Sequence, residues 1–395
     1  MDATQPARSA RNATKKPSLL AKLATAGMIV ALLPAILVLC LIRRARGQQK
    51  GIRFKEDLRR SVIRGATRLP LRFLEGRIPH ADINVLLAAP RLKHFNRQLR
   101  LPVSDGLCSG YWVCKGPLGG SQIPRESDVV LLYYHGGAYC FGHPLESAML
   151  LLRSIEIASA ARNISISVFS ARYTLALSGG GTFPLQQRQA LAAYRHLLDV
   201  EKVPAEKIAG LPKPAGGLLL FPWTNLKSDS PSFRRNKHKD VLTKSLIDRC
   251  AGLVTGSKKG WNGTGDDTWA AHHDDDDDIN WDELELVDLT RPLQQGKVRN
   301  WKDILPSFTW MNVGEHDMLF DDIHAFKRNA EADGARVDMD ITPKMPHGWH
   351  AVDRPMVDML LKLQPEDKIP AGKLPGSENV GAGLITVWDQ AMRRK

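Results

Sequence analysis

The sequence offers little to a metal or redox centre. Its five cysteines, Cys40, Cys108, Cys114, Cys140 and Cys250, are odd in number, and no two stand at C-x-x-C or zinc-ligand spacing. A Cys108–Cys114 disulfide is open to an oxidising compartment, but nothing requires it. His272-His273 followed by Asp274 to Asp278 reads as a solvated acidic loop rather than a ligand set, because such runs of like charge repel one another. No metal and no cofactor are called for. Positive charge is also scarce where a nucleic-acid binder needs it. The net charge is +13, but residues 1 to 60 hold 13 Lys/Arg against Asp2, Glu56 and Asp57. The rest of the chain is close to neutral, which argues against a basic binding face and a nucleic-acid partner.

A third absence is local. From Leu23 to Ile42, 20 residues pass without a charge, LATAGMIVALLPAILVLCLI. At helical rise this run is long enough for a bilayer core. Lys15, Lys16 and Lys22 precede it, and Arg43, Arg44 and Arg46 follow. A cleavable signal peptide has a shorter apolar core and a small-residue cleavage site, whereas this run ends in Cys-Leu-Ile-Arg-Arg. The expectation is a single-pass anchor with the lipid bilayer as partner, in the endoplasmic reticulum or another endomembrane. Pro34 would kink the helix, which membrane helices tolerate. Eight Lys/Arg from Arg43 to Arg60 against five before the run favour a cytoplasmic body. The sequons at Asn163 and Asn262 favour the opposite side, and the orientation stays open.

Five segments follow from this reading: a basic tail over 1–22, an anchor over 23–42, a membrane-proximal or cap segment over 43–124, a folded domain over 125–365 and a tail over 366–395. Phe54 to Leu74 looks helical and basic. Val129 to Tyr134, VVLLYY, is a short apolar run of the kind that forms a buried strand. Leu145 to Arg162 has the apolar spacing of a helix on a sheet, Ile164 to Phe169 reads as the next strand, and Gln186 to Leu198 as an amphipathic helix. Leu384 to Arg394 suggests a short terminal helix. Strand alternating with helix at this spacing predicts an α/β fold, a doubly wound and mostly parallel sheet with helices on both faces.

The first strand stops at His135-Gly136-Gly137-Ala138. Glycines allow backbone geometry that a side chain forbids, and successive N–H groups in such a turn can face one concavity and hold an anion. Ester hydrolysis needs that at the carbonyl oxygen, where negative charge develops. An HGG-type turn after a strand is the oxyanion loop of lipase- and esterase-type α/β-hydrolases.

Further motifs stand in matching order. Ala171-Arg172-Tyr173 to Phe183-Pro184 resembles the Y-R-L-A-P-E…F-P segment of the hormone-sensitive-lipase-like branch of the α/β-hydrolases, with Ser178 and glycines replacing the acidic part. Phe221-Pro222-Trp223-Thr224-Asn225-Leu226 resembles its S-P-W-x-D-L. Gly314-Glu315-His316-Asp317-Met318-Leu319 resembles the strand end that carries the triad acid, and Met345-Pro346-His347-Gly348-Trp349 the loop that carries the triad histidine. The apolar N-terminal run makes the chain similar to membrane-anchored steryl acetate hydrolases within that branch. The resemblance implies an α/β-hydrolase fold, a catalytic acid at Asp317, a catalytic base at His347, and an oxyanion hole at Gly136 and Gly137 within the motif from His135 to Ala138. His350 is a rival for the histidine, and Asp317 could equally be a helix N-cap. Asp321 and Asp322 are expected on the following helix.

The same branch needs a nucleophile elbow, G-x-S-x-G, after its fifth strand. No such motif occurs anywhere in the chain. Pro204-Ala-Glu-Lys-Ile-Ala looks like the start of that strand, but Ala209-Gly210 runs directly into Leu211-Pro-Lys-Pro and the lead into the sixth. Ser178, in Ala176-Leu-Ser-Gly-Gly, is a look-alike that lacks the sharp strand-to-helix turn, and Cys140 is read as a pocket-wall residue. Either a coding segment has been lost, or the chain is a degenerate hydrolase. The absent piece is one block while the other motifs persist, which favours a lost segment. Taken literally, the chain would leave a sheet edge uncovered. The resemblance implies a hydrophobic acyl or acetyl ester as substrate, such as an acetylated sterol, a short-chain acyl ester or an acylated secondary metabolite. The competing reading is an inactive pseudo-hydrolase that binds a lipid-like ligand.

Overall fold

A computed structural model describes residues 19–49, 51–67, 71, 89–91, 102–117, 120–178, 181–207, 215–256, 289–290, 300–350, 362–364 and 366–393. The predicted strands form, but in two sheets. β1 (Pro102–Asp105), β2 (Cys108–Cys114), β3 (Val129–Tyr134) and β4 (Ile166–Ala171) lie in the order β1-β2-β4-β3. Gly106, at φ +56°, opens the two-residue turn of the β1–β2 hairpin, a position that calls for a residue without a Cβ. β2 meets β4 antiparallel, and β3 meets β4 parallel in the register Val129 to Ile166. β5 (Gly217–Leu220), β6 (Thr309–Gly314) and β7 (Val337–Thr342) form a second, all-parallel sheet.

The strands read both ways from their alternation. Val129 and Leu131 of β3, with Ile166 and Val168 of β4, turn toward α3 (Ala148–Arg162) and its Leu151, Leu152 and Ile155. Val130, Phe169 and Ala171 turn the other way, onto Ala193, Tyr194 and Leu197 of α4 (Leu185–Asp199). The first sheet is therefore covered on both faces, as a doubly wound fold requires. α3 ends where Asn163 takes the left-handed conformation, a common helix stop. Two short helices follow β5: α5 (Pro231–Arg235) and α6 (Lys244–Thr255), the latter capped by Thr243 Oγ1 accepting from Leu246 N–H. After α7 (Trp301–Ile304) and β6, α8 (Phe320–Ala332) crosses back to β7, burying Ile323, Phe326 and Ala330 against Met311 and Val313.

Several expectations need correction. The single, mostly parallel sheet is divided, with no strand pairing β3 to β5 among the described residues. Ala205–Lys207 is one turn of 3-10 helix instead of a strand start, and only residues 208–214 separate it from Ala215. A parallel strand with its crossover helix needs about a dozen residues or more. Cys108 and Cys114 stand at opposite ends of β2, about 20 Å apart at strand rise, so no disulfide can join them. All five cysteines are free and buried. The C-terminal segment is no tail. α9 (Pro375–Met392) packs on α3 and also on β5 and β6. Its Gly381 lies against Ile157, and a Cβ on Gly383 would stand 2.6 Å from the Trp310 ring. The acidic run at 274–278, the His272-His273 pair and Asn262 fall outside the described residues.

At the N-terminus, α1 (Leu19–Ala45) spans 27 residues, about 40 Å at helical rise. It pairs with α2 (Phe54–Ala66), which is shorter than the predicted helix over 54–74. Arg43 donates to Ser61 Oγ at 2.6 Å and Cys40 is fully buried. The side chains of α1 are described at Gly27 and from Ala31 onward. Over the described residues no helix is long and apolar enough to cross a membrane. Leu32, Leu33, Leu37, Val38, Leu39, Leu41 and Ile42 nevertheless remain exposed.

Candidate active site

The glycine turn sits where β3 ends. Gly137, at φ +114°, could not carry a side chain, since a Cβ would come within 2.3 Å of Phe141 O, whereas a Cβ on Gly136 would meet nothing within 4 Å. Ala138 and Tyr139 follow in the left-handed region at φ +52° and +58°, a conformation that only surrounding contacts can hold. Those contacts are present. Tyr173 stacks on His135 at 4.2 Å between centroids and donates its hydroxyl to His135 O at 2.5 Å. Cys140 and Phe141 both donate N–H groups to Gly137 O, and Ala176 donates to Tyr139 O. Neither Gly136 N–H nor Gly137 N–H donates to another described residue. Two peptide donors are thus left for an incoming anion.

Asp317 and His347 meet on the other sheet. Asp317 lies in the turn after β6, fully buried, with Oδ1 accepting from Leu319 N–H at 2.8 Å and Oδ2 2.9 Å from His347 Nδ1. The N-cap alternative for Asp317 is not realised, since Leu319 is the N-cap of α8 and has no side-chain cap: one oxygen of Asp317 braces the turn before the helix and the other holds the imidazole. A carboxylate can only accept, so His347 carries its proton on Nδ1 and leaves Nε2 to act on another group. The ring keeps 26% of its surface exposed although protein surrounds it closely. Burial opposes its charged form, but the charge and hydrogen bond of Asp317, aided by the charge of Asp240, outweigh burial and raise its pKa above the usual imidazole value.

The histidine loop is fastened from behind. His316 N–H donates to Met345 O, and a Cβ on Gly314 would strike the same carbonyl at 2.2 Å. Trp349 Nε1 donates to Asn312 Oδ1 on β6 at 2.9 Å, which makes Trp349 the anchor of the loop. His350 is turned away, 3.0 Å from Asn379 Oδ1 on α9, so His347 is the partner of the acid. Asp322 and Asp321 are spent on structure, the first on Asn225 and Ser230, the second on Arg235. Ser178 ends a three-residue 3-10 turn, not a strand-to-helix elbow. Cys140 is buried with its thiol facing Cys250 O, and the neighbouring Cys250 thiol and burial push its pKa up; this is a wall residue rather than a nucleophile. The turn at 135–138, Asp317 and His347 each follow the C-terminal end of a parallel strand, the position where ligands bind in open α/β sheets.

Sequence reasoning missed a set of supporting residues. Asp240 accepts backbone N–H bonds from Met318 and His347, Asn236 Nδ2 donates to Asp317 O, and Arg60 donates to Lys239 O and Lys344 O. They lie in stretches that read as polar loop or basic linker, and no periodicity or motif marks them.

Comparison with known proteins bears on the fold that carries this geometry. The model of a family described as alpha/beta hydrolase fold matches residues 203–351, a span that holds Asp317 and His347. An acetyl-hydrolase of Streptomyces hygroscopicus is 24% identical over 268 residues, covering 63% of this chain and 74% of the relative. Crystal structures of the esterase EstE5 superpose with a TM-score of 0.56 at 19% identity, over 84% of this chain and 97% of the other. An esterase of the bacterial hormone-sensitive lipase family does so with a TM-score of 0.51 at 19% identity, over 90% and 97%. The chain has the α/β-hydrolase fold. It is similar to the ester-hydrolysing members that resemble hormone-sensitive lipase.

Proposed function

We propose that this protein is a membrane-anchored carboxylic-ester hydrolase acting on a hydrophobic acyl or acetyl ester, and that its serine lies in a segment lost between Lys207 and Ala215. The observation that carries the reading is the buried Asp317 bonded to a partly exposed His347 at 2.9 Å. In the complete enzyme the serine oxygen attacks the ester carbonyl, and His347 Nε2 takes its proton and returns it to the departing alcohol. Asp317 orients the ring and stabilises the imidazolium. Gly136 and Gly137 offer their N–H groups to the oxyanion. Water then repeats the sequence on the acyl-enzyme. The acetyl-hydrolase relative supports a short acyl group, and the exposed leucines of α1 support lipid contact.

The divided sheet favours one second reading, a catalytically silent hydrolase that holds a lipid-like ligand. Sequencing the transcript across the codons for Ile208 to Pro212 separates the two. An in-frame segment encoding G-x-S-x-G supports the hydrolase. A transcript identical to this chain, with purified protein that cleaves no acetyl ester, overturns it.

A further inference from the structure

Asp240 is fully buried and lies in the loop between α5 and α6. Its carboxylate accepts three backbone N–H groups: from Val241 at 2.6 Å, Met318 at 2.6 Å and His347 at 2.9 Å. Met318 follows the acid Asp317, and His347 is the base itself. One carboxylate therefore holds the backbone of both loops whose side chains must meet. No other small side chain could do this. A serine or an asparagine carries a donor that would oppose one of the amides, whereas an ionised carboxylate offers acceptors only.

The loop that bears Asp240 is itself held on two sides. Its N–H donates to Asn236 O, and Asn236 Nδ2 returns to Asp317 O at 2.8 Å. Its carbonyl accepts from Arg64 Nη1 of α2 at 2.7 Å. The charged and titratable groups around it are Asp317 on the acid loop, His347 on the histidine loop and Arg64 on α2. Burying a second carboxylate beside Asp317 is unfavourable, and burial together with the charge of Asp317 raises the pKa of Asp240 to about 6. A charge kept at such cost beside an imidazole favours the imidazolium.

We propose that Asp240 is a positioning residue of the acid–histidine pair, setting the alignment of Asp317 with His347 through their backbones and adding a second negative charge beside the imidazole. The reading rests on the hydrolase function proposed above, but its test does not require turnover. In the full chain labelled at histidine Cε1, the His347 resonance is titrated by NMR in the wild type and in Asp240→Asn. The variant lowers the His347 pKa by about 1 unit, and Asp240→Glu recovers part of the shift. An unchanged His347 titration in a folded Asp240→Asn chain overturns the proposal, because a purely structural role would alter stability and leave the titration alone.

Should Asp240→Asn fail to fold, the wild type still decides. The Asp240 carboxyl carbon and the His347 ring must then titrate as a linked pair, and a His347 titration that shows no response to the ionisation of the Asp240 carboxyl overturns the proposal. A shifted His347 in a chain that cleaves no ester supports the positioning role and removes only the hydrolase reading. Where the complete chain turns over acetyl ester, Asp240→Asn lowers kcat about 10- to 100-fold with KM nearly unchanged, since it disturbs the base and not the substrate pocket.

Discussion

The two sheets of this molecule are in opposite conditions. In the second, every element that holds Asp317 and His347 is in place: β6 and β7 pair along their full register, Trp349 is tied to Asn312, and the turn of Gly314 locks onto Met345. In the first, the glycine turn is equally well built, held by Tyr173 and the Gly137 carbonyl. Between them, β3 and β5 are edge strands with no strand pairing them among the described residues. The comparison separates two kinds of integrity. A catalytic constellation can keep its local geometry where its loops are tied to their own strands, while the sheet that should join its halves stays open.

The strongest way to break that contrast is to fill the gap. Insertion of a strand, a G-x-S-x-G turn and a helix between Lys207 and Ala215 should create ester cleavage at least about 10⁴-fold above the present chain, read with p-nitrophenyl acetate. Within the completed chain, Asp317→Asn should lower kcat about 10⁴-fold with little change in KM, by releasing His347 from its tautomer and orientation. Stability effects come next. Leu384→Ala on α9, which packs in the same core as Leu151 and Val168, should cost about 2–4 kcal/mol in chemical denaturation.

One residue in the second sheet's support should make it sensitive to acid. His316 is buried beside Arg60, and burial with the charges of Lys239 and Arg60 lowers its pKa to about 4. The folded state holds it neutral while the unfolded state titrates it near pH 6.5. Stability is therefore present above that value and is lost as the pH falls toward 4. The loss is about 2 kcal/mol after discounting for its partial solvation. Hydrogen exchange of α2 should report it, and His316→Gln should remove this contribution while leaving those of Asp240 and His347. The smallest effect belongs to the first sheet: Tyr173→Phe removes the hydroxyl bond to His135 O and should cost about 1 kcal/mol in urea.

Much of this was legible in the residues. Residue pattern at strand length marked β3 and β4, and the glycines at 136 and 137 marked the turn; at Gly137 the chain reversal against Phe141 leaves no room for a Cβ. Asp317 and His347 were found because the segments Gly314–Leu319 and Met345–Trp349 resemble the family's acid and histidine motifs. The absent G-x-S-x-G could be seen, but not that the sheet would divide where it is missing, since pairing between distant strands leaves no local trace. α9 was read too short because Gly381 and Gly383 lower helix propensity, and their reason is the close approach of Trp310 and Ile157. Asp240, Arg60 and Arg64 were hidden for a different cause. Buried charges that serve backbone groups look, in sequence, like ordinary polar surface.

α9 carries one more consequence. It touches both α3 and the pair β5 and β6, so with α6 it clasps the division between the two sheets. Both sheets are synthesised before it. α6, made earlier, already sets Leu246 and Leu253 against Phe141 in the turn after β3, and the helix from Pro375 to Met392 adds its contacts last. Until then the faces of α3, β5 and β6 that it covers stand bare.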